Sequence, residues 1–173
     1  MQITIENLNR LRIINFYLPQ NVADSGVLVV QKTATPENLL PDRILQISGT
    51  TRCLIAENTV SVQYIPEMYE NIRLLILAEL DDFMTEPQII KTHKNELSLK
   101  EQAEALADAF IRPTLNRDNG DIEIHDAANG VIELSFTGHC AGCPYAQNTL
   151  QNVIMRTFQK YMPQITDIKV KGA

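Results

Sequence analysis

Two cysteines lie in the stretch 138–144, Gly-His-Cys-Ala-Gly-Cys-Pro, where the sequence changes from a strand pattern to a helix pattern. Apolar and polar residues alternate over 131–136, which is typical of a half-buried strand. Over 145–161 the apolar residues recur at helical spacing instead. The C-x-x-C formed by Cys140 and Cys143 is therefore predicted at a strand-to-helix turn. There the unpaired N–H groups and positive end of the helix favour a charged sulfur and any anionic metal cluster bound to it.

The sequence on either side of this turn predicts one small domain over 97–173. A Ser-x-x-Glu capping box at 98–101 begins a helix, and the Arg-Pro pair at 112–113 is predicted to end it. The Asn-Gly pair at 129–130 predicts a tight hairpin, and 165–170 has the pattern of a last strand after the second helix. The order is then helix, strand, strand, helix, strand. We expect a mixed three-stranded sheet whose last strand runs parallel to its neighbour through a right-handed crossover.

A second, N-terminal domain is predicted over 1–85, and the polar, proline-containing segment 86–96 is predicted to be a linker. The predicted N-terminal elements are a pair of strands at 11–18 and 27–30, a helix at 37–47, a hairpin at 52–64 and a helix at 67–84. The inner face of the last helix is predicted to consist of Ile72, Leu75, Ile76, Leu80 and Phe83. The predicted fold class is α+β, with two small two-layer α/β domains.

Charge and composition exclude several classes of partner. The formal net charge of −6 and the pI near 5.0 argue against sequence-independent binding to nucleic acid and against binding to an anionic membrane. Both kinds of binding need clustered Lys and Arg. The first residues lack the pattern of a secretory signal, and no apolar run approaches the length of a membrane span. Three cysteines, two of them closely spaced, suit a reducing compartment. We therefore expect a cytoplasmic protein with protein partners, no nucleic acid and no membrane.

The C-x-x-C alone is compatible with a redox dithiol, a pair of zinc ligands or a pair of iron-sulfur ligands. Zinc in a thiolate site and the common iron-sulfur clusters ask for four donors, whereas this chain offers Cys140, Cys143 and a distant Cys53. A second copy of the chain is the simplest source of the missing donors, which predicts a site shared across a homodimer. Against a thioredoxin-like dithiol, only 30 residues follow Cys143 and the chain has no tryptophan.

Three other residues are candidates for a part in such a site. His139 stands beside a predicted ligand and could tune or replace a donor. Cys53 stands in an apolar strand, where a cysteine is usually a small buried hydrophobe. Arg112 is interpreted as a helix-end cation, with a contact to the cluster or to a recipient as the alternative.

The second domain resembles the C-terminal domain of the NifU-like (Nfu) iron-sulfur carriers over about 97–170. The matching residues are Ile111-Arg112-Pro113, the Asp-Asn-Gly-Asp turn at 118–121, Gly130-Val131, the cysteine stretch at 138–144, Thr149-Leu150 and Pro163. The family usually has glycine where Asn119 stands and a small residue where His139 stands. The first domain resembles the family's N-terminal domain more loosely, mainly over 40–83.

The resemblance implies a function that the spacing of the cysteines alone does not predict. It implies a homodimer that holds a [4Fe-4S] cluster between its subunits through Cys140 and Cys143, with a [2Fe-2S] form as the alternative. It further implies that the cluster comes from an upstream donor and is delivered to recipient apoproteins, which the N-terminal domain helps to choose. Such a carrier is not an enzyme. The alternatives are a dithiol-disulfide oxidoreductase and a zinc-stabilised interaction module.

Overall fold

The computed structural model describes residues 2–32, 39–93, 95–142 and 144–172. It divides into two compact units, Met1–Glu96 and Leu97–Ala173. Helices and strands are mixed in both units, and each unit has its own sheet. The predicted α+β class is confirmed.

The first unit is built on a five-stranded antiparallel sheet in the order β1-β2-β5-β4-β3. Its strands are β1 (Thr4–Leu8), β2 (Ile13–Tyr17), β3 (Leu28–Gln31), β4 (Thr50–Ala56) and β5 (Thr59–Tyr64), and its helices are α1 (Leu40–Leu45) and α2 (Tyr69–Thr85). The predicted hairpin is the β4–β5 pair. Ile72, Ile76 and Leu80 of α2 are fully buried and join the core of this unit.

Three details of this unit differ from the predictions. β1 was not predicted, because its sequence Thr-Ile-Glu-Asn-Leu does not alternate cleanly. β2 and β3 are real strands but do not pair with each other, since β5 and β4 lie between them. Leu75 of α2 is 52% exposed, because the buried face follows every fourth residue from Ile72 and Leu75 lies to one side of it.

The segment 86–96, predicted to be a linker, is held against the first unit. Ile90 is 8% exposed and forms an isolated β-bridge with Ala23. The Asn95 side-chain oxygen accepts a hydrogen bond of 2.8 Å from the backbone N–H of Val29 in β3. These contacts explain why the division between the units falls after Glu96 rather than before it.

The second unit has a three-stranded mixed sheet in the order β6-β7-β8, as predicted. Its strands are β6 (Gly120–Ala128), β7 (Val131–Gly138) and β8 (Asp167–Val170), and its helices are α3 (Leu99–Leu106), α4 (Arg112–Arg117) and α5 (Pro144–Tyr161). β6 and β7 are antiparallel, whereas β7 and β8 are parallel. Asn129 and Gly130 both have positive φ, 54° and 78°, as a tight hairpin turn with this register requires.

The helix that begins at the Ser98 capping box does not end at the Arg-Pro pair. The capping box itself is confirmed, because Ser98 and Glu101 exchange side-chain to backbone hydrogen bonds of 3.2 and 2.9 Å. Beyond α3 the chain passes through a π-helical turn, Ala107–Ile111, and continues as α4. Pro113 stands in the first turn of α4, where its missing N–H leaves no hydrogen bond unmade.

α5 packs on the sheet through Ile154, Phe158 and Tyr161, which are at most 8% exposed. Val153 of the same helix is 50% exposed, although its apolar side chain belongs to the helical pattern over 145–161. Among the described residues, no helix combines the length and the apolar character needed to cross a bilayer.

Candidate metal centre

Cys140 lies where the sequence predicts it, between the last strand residue before the turn and the helix that follows. β7 ends at Gly138, a single 3₁₀ turn covers His139–Gly142, and α5 begins at Pro144. The Cys140 side chain is 7% exposed. Cys143, the second predicted ligand, lies outside the described residues.

The cysteine turn rests on the earlier turn that joins α4 to β6. Gly138 has a φ of +64° and packs so closely on the Asn119 carbonyl oxygen that a side chain at 138 would collide with it. The backbone N–H of His139 donates a 3.2 Å hydrogen bond to the same oxygen. Asn119 itself has a φ of +58°, a conformation that asparagine tolerates better than most residues. Asparagine can therefore stand where the related family usually has glycine.

Gln147, in the first turns of α5, closes the cysteine turn from the other side. Its side-chain N–H groups donate to the carbonyl oxygens of Cys140 and Ala141, at 2.9 and 3.0 Å. The turn is thereby tied to both β6 and α5. Fixed backbone on either side of a ligand is what a metal site needs to hold the ligand in place.

The Cys140 sulfur lies against the backbone of β6. A methyl group at Gly120 would overlap the sulfur, so only glycine leaves room for it. The backbone N–H of Asp121 donates a hydrogen bond to the same sulfur. Hydrogen bonds to thiolate sulfur are among the features that tune iron-sulfur sites.

The electrostatic surroundings of Cys140 oppose the prediction of a thiolate. Burial raises the pKa of the Cys140 thiol, and the charges of Asp118 and Asp121 raise it further. The hydrogen bond from the Asp121 N–H lowers the pKa but does not compensate. In the metal-free chain, desolvation and two carboxylates therefore oppose the charged sulfur that the helix end was expected to favour.

An open pocket of about 510 Å³ adjoins the cysteine turn. Residues of α4, of the two turns and of α5 line it: Thr114, Leu115, Asp118, His139, Cys140, Thr149 and Leu150. His139 is exposed and stands beside Cys140 in this lining. The pocket could receive an inorganic cluster at the Cys140 sulfur, with His139 near enough to influence its surroundings.

Arg112 is buried beneath this site, where the sequence had suggested a helix-end cation. It is 7% exposed, and its guanidinium contacts Glu104 Oε2 and Asp108 Oδ1 at 2.8 Å each and Asp121 Oδ1 at 3.2 Å. Burial lowers the pKa of Arg112, but Asp108 and Glu104 outweigh that effect and raise it. Acidic residues four and eight positions before the arginine were a signal, because they share its side of a helix.

Cys53 is a core residue of the first unit. It lies in β4 with no exposed surface, and burial raises the pKa of its thiol far above the ordinary range. The interpretation of Cys53 as a buried hydrophobe is confirmed. Within the part of the chain that the structure describes, no three side chains of His, Cys, Asp or Glu are grouped to hold a metal ion.

Comparisons with known proteins concern the second unit. A family model described as a NifU-like domain matches residues 104–169. Two relatives are each named "NFU1 iron-sulfur cluster scaffold homolog, mitochondrial". The relative from Drosophila persimilis is 38% identical and the one from Homo sapiens 34% identical, each over 64 residues. Both matches cover 37% of this chain but only 23% and 25% of the relatives, so the similarity spans about a quarter of their length.

A solved structure, protein SAV1430 from Staphylococcus aureus, is similar over 46% of this chain and 99% of its own. The sequence identity is 15% and the TM-score 0.40, too low to support any further argument. The names of the sequence relatives contradict the prediction of a cytoplasmic protein, because those relatives are mitochondrial by name. Composition and cysteine usage distinguish a reducing from an oxidising compartment, and they do not distinguish the cytoplasm from the inside of an organelle.

The match at 104–169 begins in α3, ends in β8 and includes both cysteines of the C-x-x-C. It thus covers the same helix, strand, strand, helix, strand unit that carries the turn at Cys140. The resemblance of the second unit to the NifU-like family is thereby confirmed: this unit matches the NifU-like domain over 104–169 and is similar there to relatives named as iron-sulfur cluster scaffold homologues.

Proposed function

We propose that the protein is a carrier of iron-sulfur clusters, with Cys140 and Cys143 as its ligands and the cluster as its cargo. The observation that carries the proposal is the NifU-like match over 104–169, which includes the C-x-x-C that leads from β7 into α5. The relatives that match this region are named as iron-sulfur cluster scaffolds. The role of a scaffold is to hold a cluster and pass it on, so this protein needs no reaction of its own and is not an enzyme.

Ligand counting supports a shared site. A [4Fe-4S] cluster takes four thiolates, whereas the C-x-x-C of one chain has two. Cys53 cannot supply a third, because it is fully buried in the other unit. Two copies related by a two-fold axis would contribute Cys140 and Cys143 twice, and the cluster would then bridge a homodimer.

The surroundings of Cys140 fit an anionic cluster that must also be released. The Asp121 N–H stabilises negative charge on the sulfur, and the open pocket leaves space for the cluster. Asp118 and Asp121 oppose that charge, so the cluster is held less tightly than a resident cofactor would be. A donor protein would load the site, and apoproteins with better-matched thiolates would take the cluster from it.

The raised pKa of Cys140 argues against the oxidoreductase alternative. In that alternative Cys140 attacks a disulfide and Cys143 resolves the product, and attack requires a thiolate. Burial and two nearby carboxylates keep the Cys140 sulfur protonated in the metal-free chain instead. The zinc-stabilised module remains the alternative that metal analysis has to exclude.

The test is anaerobic reconstitution of the full chain with iron and sulfide. We expect brown protein with about four irons and four sulfides per two chains, and transfer of the cluster to a four-iron apo-ferredoxin. Cys140→Ser and Cys143→Ser should each lose the cluster, whereas Cys53→Ala should retain it. Full cluster content in Cys140→Ser would overturn the ligand assignment. Colourless protein that binds zinc tightly, or that reduces insulin disulfides catalytically, would overturn the carrier function.

A further inference from the structure

Arg112 joins the helical layer of the second unit to the strand beneath the cysteine. On the helical side its Nη1 contacts the carboxylates of Glu104 and Asp108, both at 2.8 Å. On the sheet side its Nε donates to Asp121 Oδ1 at 3.2 Å and its Nη2 donates to the Ile122 carbonyl oxygen at 3.2 Å. The two sides therefore use different nitrogens of one rigid guanidinium.

The sheet-side contacts fix the residue that bonds the cysteine sulfur. Arg112 holds both the side chain of Asp121 and the backbone of Ile122, and Asp121 Oδ1 also accepts a 2.8 Å hydrogen bond from the Ile122 N–H. The Asp121 peptide is thus held through its own side chain and through the next residue. Asp121 directly follows Gly120, whose backbone packs against the Cys140 sulfur, and the Asp121 N–H acts on that sulfur as a hydrogen-bond donor.

The same contact places a positive charge beside a carboxylate that lies near the sulfur. Without Arg112, the Asp121 charge would repel a cysteine thiolate or an anionic cluster more strongly. A lysine would keep the charge but could not make the separate contacts to Asp121, Ile122 and the helical carboxylates. Arginine is therefore required for geometry as well as for charge.

We propose that Arg112 is a positioning residue for the Cys140 ligand: it holds Asp121 so that the Asp121 backbone N–H bonds the sulfur that binds the cluster. The inference rests on the proposed carrier function for the identity of the cargo. It does not rest on cargo for its test, because the contact between Asp121 and Cys140 is present in the metal-free chain.

The test compares variants that each remove one carboxylate from the same arginine. Asp121→Asn removes the sheet-side carboxylate, and Glu104→Gln and Asp108→Asn remove those of the helical side. Because the Asp121 charge also acts on the sulfur directly, Arg112→Lys, which leaves residue 121 unchanged, separates a positioning role from a purely structural ion-pair centre. If Arg112 positions the ligand, only Asp121→Asn of the three carboxylate variants should change the surroundings of the sulfur.

The first readout uses metal-free protein in a Cys143→Ser background, so that Cys140 is the one thiol left in the C-x-x-C. For Asp121→Asn we expect about tenfold faster hydrogen exchange at the residue 121 amide and faster alkylation of Cys140, as loss of one charge-assisted hydrogen bond permits. Glu104→Gln and Asp108→Asn should remain near the unmodified protein in both measurements. Arg112→Lys, which keeps the charge, should also speed exchange at residue 121.

The second readout uses reconstituted full chain with both cysteines. Asp121→Asn should shift the Fe–S stretching bands in resonance Raman spectra, whereas the helical-side variants should not. Equal effects of all three variants on the residue 121 amide, or unchanged exchange in Arg112→Lys, would overturn the positioning role. Failure of the unmodified chain to bind a cluster would overturn the carrier function instead, and the metal-free readout would still decide the role of Arg112.

Discussion

The Cys140 sulfur and the Gly120 backbone occupy adjoining space with no room for a further atom. Gly120→Ala should therefore displace the sulfur or open the β6–β7 pair, because the added methyl group would overlap Cys140. We expect a loss of about 1–3 kcal/mol in the free energy of unfolding, typical of overpacking a filled site. Urea unfolding of the metal-free chain measures this loss, and reconstitution should give less cluster per chain.

The matched control is Gly142→Ala, in the same cysteine turn. A methyl group there meets nothing within 4 Å, so the variant should remain within about 0.5 kcal/mol of the unmodified protein. Equal stability of the two variants would show that the sulfur is not confined by β6.

At the scale of residues, the spacing in the sequence identified the candidate site residues. It did not predict the burial and the charges around them. Cys140 was found because C-x-x-C is a local pattern. The raised pKa of its thiol was not predicted, because the burial of the sulfur and the Asp118 and Asp121 charges come from a segment about twenty positions earlier in the chain. Arg112 was interpreted as a helix-end cation for the same reason, since its partner Asp121 lies beyond a turn.

The β6–β7 hairpin turns through Gly130, whose left-handed backbone also contacts the loop between α5 and β8. Gly130 has a φ of +78°, and a methyl group there would lie 3.0 Å from the Gln164 carbonyl oxygen. The Gly130 carbonyl oxygen accepts hydrogen bonds from the N–H groups of Thr166 and Asp167, which begin the path into β8. Gly130→Ala should therefore destabilise the second unit by about 1–2 kcal/mol, the cost of left-handed backbone in a residue with a side chain.

Thermal unfolding followed by circular dichroism measures this cost. Asn129→Gly is the control, because glycine adopts the φ of +54° at that position without strain. If Gly130→Ala and Asn129→Gly have the same midpoint, the turn does not limit the stability of the unit.

The segment that follows α2 is attached through a carboxylate whose titration predicts a pH dependence. Asp24 accepts hydrogen bonds from the hydroxyl and the backbone N–H of Thr92. The hydroxyl bond is the largest cause that lowers the pKa of Asp24 below its ordinary value of 3.8. A lowered folded pKa means that the stabilisation is present above pH 3.8 and is lost as the pH falls through the folded value.

Asp24→Asn should consequently lower stability at neutral pH by about 1 kcal/mol and have little effect at an acidic pH below the folded pKa of Asp24, where the unmodified carboxyl is itself protonated. Thermal midpoints at the two pH values measure the difference. Asp81→Asn, at an exposed carboxylate of α2, is the matched surface control. A constant offset for Asp24→Asn at both pH values would contradict the assignment.

At the scale of elements, hydrophobic periodicity predicted most helices and strands, together with the mixed sheet of the second unit. It did not predict β1, whose apolar residues do not alternate, or the neighbours of β2 and β3, because strand order is a property of the whole sheet. The helix beyond the Arg-Pro pair was missed because a π-helical turn, Ala107–Ile111, admits Pro113 without a break. The segment 86–96 was predicted to be a linker because most of its residues are polar, but Ile90 and Asn95 attach it to the first unit.

At the scale of the whole molecule, the proposed carrier function ties assembly to the number of sulfur donors. The C-x-x-C supplies two thiolates per chain, and the described residues offer no further group of donors. A metal cluster that takes part of its ligands from a second chain stabilises the dimer but not the monomer. Dimerisation and cluster content should therefore rise together.

We therefore expect metal-free protein to be a monomer and cluster-loaded protein to be a dimer, because without the cluster the two cysteine turns lack the bonds that would hold them together. Size-exclusion chromatography with light scattering, run without oxygen on both forms, measures the masses directly. Chelation of the iron should return the loaded form to the monomer, and Cys140→Ser should remain monomeric after the reconstitution treatment. A dimer of the same mass with and without cluster would show that dimerisation does not depend on the metal. A complete cluster in a single chain would contradict the shared site itself.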